Sequence, residues 1–348
     1  MSEAKTVALK VPERHTSIVV TSISGPNHVM RELAAGSERN RQRFYVIGDV
    51  PSPPEFHLDG CEFLSIAQQK QTGFRIAEAS PVRHYSRKNI GYLQAIRDGA
   101  SSIVETDDDN LPQAAFWEER VRHQAVPLVL TGGWVNIYRY FTEVQIWPRG
   151  LPLPSVSAPV PDWASLSVTQ VDCPIQQGLA DENPDVDAIY RLILPLPVRF
   201  RKDRRLALGT GTWCPFNSQN TAFWEDAFPL LYLPACCSFR MTDIWRSLVA
   251  QRICWENDWR VLFHEPTVTQ ERNEHDLMRD FRDELPGYMK NGAIRDIMES
   301  QRLQPGVDHI HDNLRVCYQA LVAAAIVEKA ELSLLDLWLD DLTTALRR

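Results

Sequence analysis

Three consecutive carboxylates, Asp107, Asp108 and Asp109, stand where the apolar run Ile103-Val104 ends and just before Asn110-Leu111-Pro112. Like charges repel, so a fold that gathers three of them at a strand end commonly has a cation there to offset them. An oxygen-rich set of this kind suits Mg2+ or Mn2+, which keep open positions for substrate phosphates. The same residues also make an acidic turn or helix cap, for which Asp and Asn are favoured. Far downstream, Asp243 opens a helical pattern and His264 follows the apolar run Val261-Leu262-Phe263. A cation held by carboxylates and a later histidine would stabilise a departing diphosphate. A separate carboxylate near a reacting centre would take a proton or steady positive charge. For His264 a buried ring bonded to backbone is the plain alternative.

The elements that must position these residues show in the pattern. Residues 16–23 are short and β-branched, as in a buried strand, and a helix starts at Pro26-Asn27 with Met30, Leu33 and Ala34 on it. Residues 44–49 and 63–66 read as further strands, residues 88–99 as a helix with Ile90, Leu93 and Ile96 on one stripe, and Ile103-Val104 as the fourth strand. Alternation of this kind predicts an α/β fold with a doubly wound sheet, whose ligands sit beyond the carboxyl ends of the strands. Ser22, Asp49 and Asp107 fall at such ends and would line one crevice. No G-x-G-x-x-G follows any strand, which argues against a dinucleotide site.

With 348 residues, one large domain with an appendage or two domains are expected. The 37 basic and 45 acidic residues give a net charge of −8, against a general nucleic-acid binder. The basic stretch 199–205 reads as a solvated turn or strand edge. Seven cysteines without zinc-type spacing read as free thiols in a reducing compartment. The first fifteen residues are polar, and the greasy stretch 320–327 is too short to cross a bilayer. A soluble cytoplasmic protein without a transmembrane segment is the expectation. Residues 147–161, rich in proline, should be a long ordered loop, and residues 212–223 combine aromatics with side-chain amides as a binding loop would. A helix is expected over 243–253, a strand over 260–263, and helices over 313–331 and 332–347. The expected division is a flexible terminus over 1–15, a catalytic domain over 16–288 and an α-helical region over 289–348 that could serve docking or homo-oligomerisation.

In their order, these features resemble glycosyltransferases of the GT-A fold. Asp107 and Asp109 match the Asp-x-Asp motif. Met241-Thr242-Asp243 resembles the x-Glu-Asp helix start, with Thr242 in place of the usual acidic residue, and Phe263-His264 resembles the late metal-binding histidine. Closer still is the similarity to a STELLO-like family in residues 87–93, 147–153, 238–246 and 270–275, over roughly 18–288. The plant members of that family are Golgi membrane proteins. A more distant similarity is to reversibly glycosylated polypeptides, the UDP-arabinopyranose mutases, in the triple aspartate, Ile90-Gly91-Tyr92 and residues 178–188. There Arg149 best matches the arginine that takes the sugar, although the usual intervening Glu is missing before Gly150.

The resemblance implies a GT-A type mixed sheet flanked by helices and a metal-dependent transfer of sugar from a nucleotide-sugar donor to a glycan or other acceptor. Asp243 would be the catalytic carboxylate, and Asp107, Asp109 and His264 would hold Mn2+ or Mg2+. Ser22, Asp49, Arg87, Lys88, Asp108, Arg149, Asn217, Asn220, Thr221 and Trp245 would contact substrate, with Arg87 and Lys88 at the phosphates. A nucleotide-sugar mutase or self-glycosylating protein is the alternative, and a non-catalytic scaffold for other glycosyltransferases the second.

Overall fold

The computed structural model describes residues 14–271 and 276–347. Its first half alternates strand and helix as the pattern predicts: β1 His15–Ser22, α1 His28–Arg39, β2 Arg43–Gly48, β3 Glu62–Leu64, α2 Ile66–Gln71, α3 Arg75–Ala79, α4 Lys88–Arg97 and β4 Ala100–Thr106. Side chains alternate across a strand, and β1 buries both faces. Ile18 and Val20 pack with Val29, Met30 and Leu33 of α1, whereas Val19 belongs to the larger core with Ile90 and Leu93 of α4. Asn27 starts α1 by accepting the Met30 N–H on its side chain at 2.8 Å. Helix α4 lies so close to the sheet that a Cβ on Gly91 would come within 2.6 Å of both Ile47 and Val19. That contact explains a glycine inside a helix.

The order β3-β2-β1-β4 is parallel, and the sheet turns mixed beyond it. After β5 Asn110–Pro112, β6 His123–Val129 and the small strand β7 Gly133–Trp134 come β8 Ser167–Asp181, α5 Ala188–Ile193, β9 Arg205–Leu208, β10 Thr212–Trp213 and β11 Asn220–Trp224. Strand β11 runs antiparallel to both β4 and β8. Helix α6 Thr242–Glu256 leads to β12 Trp259–Gln270, which pairs with β8, β9 and β5. Ten strands form one mixed sheet with helices packed on it, and residues 147–161 carry no α-helix.

The C-terminal part differs from the expected appendage. Helix α7 Leu277–Ser300 crosses residue 289 without a break. Helices α8 Ile310–Ala323 and α9 Ala330–Leu346 part around Ala325, whose φ of 53° ends the helical path. Leu335, Trp338, Leu339 and Leu342 of α9 belong to the same core as α4 and α6. Asp341 accepts the Ile76 N–H at 2.8 Å, and Glu331 accepts those of Ala235 and Cys236. Amphipathic spacing shows that a helix has an apolar face but not what covers it. Here α3 and α4, packed on the sheet, cover it. No disulfide joins the seven cysteines, and no helix among the described residues is long and apolar enough to cross a membrane.

Candidate active site

Beyond the carboxyl ends of β1, β2 and β4 lies a crevice of about 740 Å3, a volume suited to a small-molecule ligand. Strand β4 delivers the acidic turn to it. The three carboxylates diverge, each toward its own partner. Asp107 Oδ1 receives the Tyr85 hydroxyl at 2.7 Å and the Lys88 ammonium at 3.2 Å. Asp108 accepts from Ser22 Oγ at 2.5 Å, and Asn27 Nδ2 donates to its carbonyl at 2.7 Å. Asp109 accepts from Gln270 Nε2 at 3.2 Å on each oxygen, and its carbonyl takes the Glu271 N–H. Burial raises the Asp108 carboxyl above the usual range; the Ser22 hydrogen bond opposes this and the Asp107 charge adds to it.

Behind the turn, Lys88 is wholly buried. Its ammonium donates to the Thr106 carbonyl at 2.6 Å and to Tyr85 Oη at 2.7 Å as well as to Asp107. A buried cation needs such partners, and they fix the end of β4. Tyr85 Oη is also 2.7 Å from Ser218 Oγ, and Ser218 donates to Asp243 Oδ2 from both N–H and Oγ, each at 3.1 Å. A continuous polar chain thus joins the acidic turn to the first turn of α6.

Asp243 is saturated. Besides Ser218 it accepts from Arg149 Nη1 at 3.1 Å, Arg149 Nη2 at 2.8 Å and its neighbour's N–H, Ile244, at 3.0 Å. Burial opposes its ionisation, but the charge and hydrogen bonds of Arg149, helped by Arg246, outweigh it and hold the carboxyl at about 2. Arg149 reaches Asp185 with Nε at 2.8 Å and also donates to the Arg240 carbonyl. Beneath the crevice, Arg246 makes a two-pronged pair with Glu105 at 2.5 and 2.8 Å, and Tyr92 donates to the same carboxylate. Arg246 lies one helical turn beyond Asp243, and Glu105 two residues before Asp107. The pair therefore ties α6 to β4 directly under the site.

Of the residues singled out in the sequence, Ser22, Asp49, Arg87, Asp107, Asp108, Asp109, Arg149 and Asp243 line this crevice. Asp49 turns its oxygens to the N–H groups of Val50 and His84. Arg87 is buried and donates to Gln69 Oε1 and the carbonyls of Ser80 and Ala77, so its charge is held by the protein. The others lie elsewhere. His264 sits mid-strand on β12 opposite Gly178 and Arg205, its Nδ1 2.9 Å from the Glu265 carbonyl. A Cβ on Gly178 would come within 2.7 Å of that ring and 2.4 Å of Asn220 Nδ2, which makes glycine necessary there. The β12 residue that meets the acidic turn is Gln270, six positions later. Asn217, Asn220 and Thr221 bond to Gln219, Leu179, Thr267, Gln177 and one another beneath the surface. Trp245 donates to Asn291 Oδ1 at 2.9 Å inside the core. Amide and indole groups in sequence signal hydrogen bonding, and here the protein itself supplies the partners.

Residues the sequence reading passed over include Tyr85, Ser218, Asp185 and Gln270. The dense polar run 83–88 before α4 was the available signal for Tyr85. Ser218 stood between two amides that were chosen. The motif at 270–275 lies outside the described residues from position 272 onward. Among the described residues no group of three or more His, Cys, Asp or Glu side chains is arranged around a common metal position. Asp107 and Asp109 nevertheless face one crevice, and Asp107 Oδ2 has no partner among the described residues. Two carboxylates completed by water and phosphate oxygens are a usual Mg2+ arrangement; here both Asp109 oxygens accept from Gln270, so Asp109 would have to share them with a cation.

Sheet and crevice define a mixed α/β protein with a carboxylate-rich crevice at its strand ends. The family model described as STELLO glycosyltransferases matches residues 240–346, from two residues before α6 to the end of α9. The Arabidopsis thaliana protein named probable glycosyltransferase STELLO2 is 31% identical over 265 residues, 71% of this chain and 35% of its own length. Its counterpart STELLO1 is 30% identical over 244 residues, 64% of this chain and 31% of its own. The chain is thus similar to STELLO glycosyltransferases and spans about a third of the length of these relatives.

Proposed function

We propose that the crevice is the donor site of a GT-A type glycosyltransferase that moves a sugar from a nucleotide sugar to a glycan or other acceptor. The observation that carries this reading is the polar chain Asp107–Tyr85–Ser218–Asp243, which puts the acidic turn and the α6 carboxylate in one cavity. Similarity to curated plant proteins named probable glycosyltransferases supports it.

Asp107 and Asp109 would hold Mn2+ or Mg2+, which when bound offsets the charge of the departing diphosphate. His264 is not part of this set. Ser22 and Asp49 border the end of the crevice nearest β1 and β2, where the nucleoside fits. Asp243 acts by charge. A carboxylate at about 2 is a weak base, and its lone pairs are already engaged, so it steadies positive charge on the sugar and aligns Arg149. The double pairing of Arg149 with Asp185 and Asp243 speaks for this placing role over covalent attachment of sugar.

The test is incubation of the purified protein with a panel of nucleotide sugars and Mn2+, with and without glycan acceptors, following hydrolysis, transfer and protein mass. Metal-dependent hydrolysis or transfer is expected. Ring isomerisation of the donor, or a stable gain of protein mass, would favour the mutase or self-glycosylating alternative. Absence of turnover with every donor would remove the enzyme reading.

A further inference from the structure

Five arginines line the crevice, and three have their guanidinium groups engaged by the protein. Arg87 is tied to Gln69, Ser80 and Ala77, Arg149 to Asp185 and Asp243, and Arg240 to Glu284 at 2.7 Å. Arg83 and Arg279 remain. The Arg83 side chain has no hydrogen bond or ion pair among the described residues. Among the described residues the Arg279 side chain has only a 3.7 Å pair with Asp283, and it is 71% exposed.

Each of the two breaks a local rule. Arg83 has a φ of 56°, in the left-handed region that favours glycine. Its neighbours impose that conformation: the His84 N–H donates to Asp49 at 3.0 Å and Tyr85 Oη to Asp107 at 2.7 Å, so the segment is stretched along the crevice between two strand ends. Arg279 occupies the first turn of α7, where the helix end is already partly positive and a cation is disfavoured. Strained backbone and misplaced charge concentrate where a ligand uses them. The crevice they line also carries six aspartates, so a polyanion entering it meets strong repulsion unless exposed cations receive it.

We propose that Arg83 and Arg279 form a diphosphate-binding site at the crevice, taking the part the sequence suggested for Arg87 and Lys88. The ligand class is a diphosphate, whether free or the leaving half of a nucleotide sugar, and the second case rests on the donor-site reading above. Guanidinium forks suit phosphate oxygens, to which they donate in pairs.

Calorimetric titration of the whole chain with inorganic pyrophosphate, in chelator to exclude divalent cations, tests this directly. Arg83→Gly is the informative variant, because glycine relieves the left-handed strain while removing the cation. Its melting temperature should rise, and its pyrophosphate affinity should fall at least tenfold. Arg279→Ala should show a similar loss, and Arg315→Ala, on α8 away from the crevice, none. Nucleoside diphosphates binding more tightly than pyrophosphate, with the same dependence on Arg83, would assign the site to a nucleotide; equal affinities would assign it to a free diphosphate. Wild-type affinity in Arg83→Gly, or no pyrophosphate binding by the wild type, overturns the proposal. Because the readout is binding, it stands or falls separately from any sugar transfer.

Discussion

The hydroxyl of Tyr85 lies 2.7 Å from Asp107 Oδ1 and is shared with Ser218 Oγ at the same distance. Lys88 donates to the phenol oxygen, so the single hydroxyl proton must serve Asp107 or Ser218. A cation or donor that draws on Asp107 shifts that proton toward Ser218 and hence toward Asp243. Tyr85 is a positioning residue in this arrangement. Tyr85→Phe should lower kcat/KM by about tenfold, the loss of one well-placed hydrogen bond, with little change in donor affinity. Steady-state kinetics alongside donor titration check it; an equal loss in binding would mean that Tyr85 serves the fold of the crevice alone.

The pair Glu105–Arg246 is closed to solvent on both sides, at 0% and 2% side-chain exposure. Removing one member of such a pair leaves the other charge buried, which costs about 3–5 kcal/mol. Glu105→Ala should therefore destabilise the protein by about that amount in urea unfolding. Glu105→Leu combined with Arg246→Met should recover part of the stability without recovering full turnover, since the tie between β4 and α6 would be gone. Full recovery of turnover would show that packing alone sets the distance between the acidic turn and Asp243.

Asp243 fixes a pH dependence through its partner. Its carboxyl sits at about 2 against about 3.9 for an unperturbed aspartate. A depressed folded value stabilises the fold above the unfolded one, so the contribution is complete above pH about 4 and is lost as pH falls toward 2. No acid limb from Asp243 should appear in kcat/KM near neutrality. Arg149→Met removes the charge that outweighs burial, and the carboxyl should then rise above its ordinary range. The acid limb of the rate profile, or of the melting temperature if turnover is lost, should move upward in that variant. An unmoved limb would contradict the assignment of Arg149 as the controlling counter-ion.

How far the site was legible depended on whether chemistry or partnership decided a residue's place. The end of β4 showed because an apolar run stops at carboxylates, and α6 showed because its spacing is helical and Asp243 opens it. The fate of Arg87 and Lys88 did not show. Their partners are mostly backbone carbonyls of Ser80, Ala77 and Thr106, and every residue has one. The C-terminal helices were legible as helices, but nothing in their spacing names α4 as the surface they cover. Strand β12 runs further than the apolar run 260–263 indicates, because Pro266, which removes a ladder donor, does not end it. The strand instead passes through a register irregularity between His264 and Val268 and continues to Gln270. Reading the end at Phe263 placed the histidine where Gln270 belongs.

That shift gives His264 a different, testable part. Burial, with Arg120 and Arg205 adding to it, pushes its ring down to about 3, against only the Glu265 carbonyl raising it. The ring is thus neutral in the fold throughout the physiological range. A histidine of about 6.5 in the unfolded chain takes up its proton on unfolding, so this group weakens the fold as pH falls below about 6.5, by up to about 1.4 kcal/mol per pH unit, until about 3. His264→Gln keeps a polar group for the Glu265 carbonyl and cannot titrate. Its urea stability should fall less steeply between pH 6.5 and 4 than that of the wild type. In the same variant the Mn2+ dependence of donor binding should be unchanged, whereas Asp109→Asn should weaken it at least tenfold. A loss of metal dependence in His264→Gln matching that in Asp109→Asn would return the histidine to the metal set and contradict the placement of Gln270 beside the acidic turn.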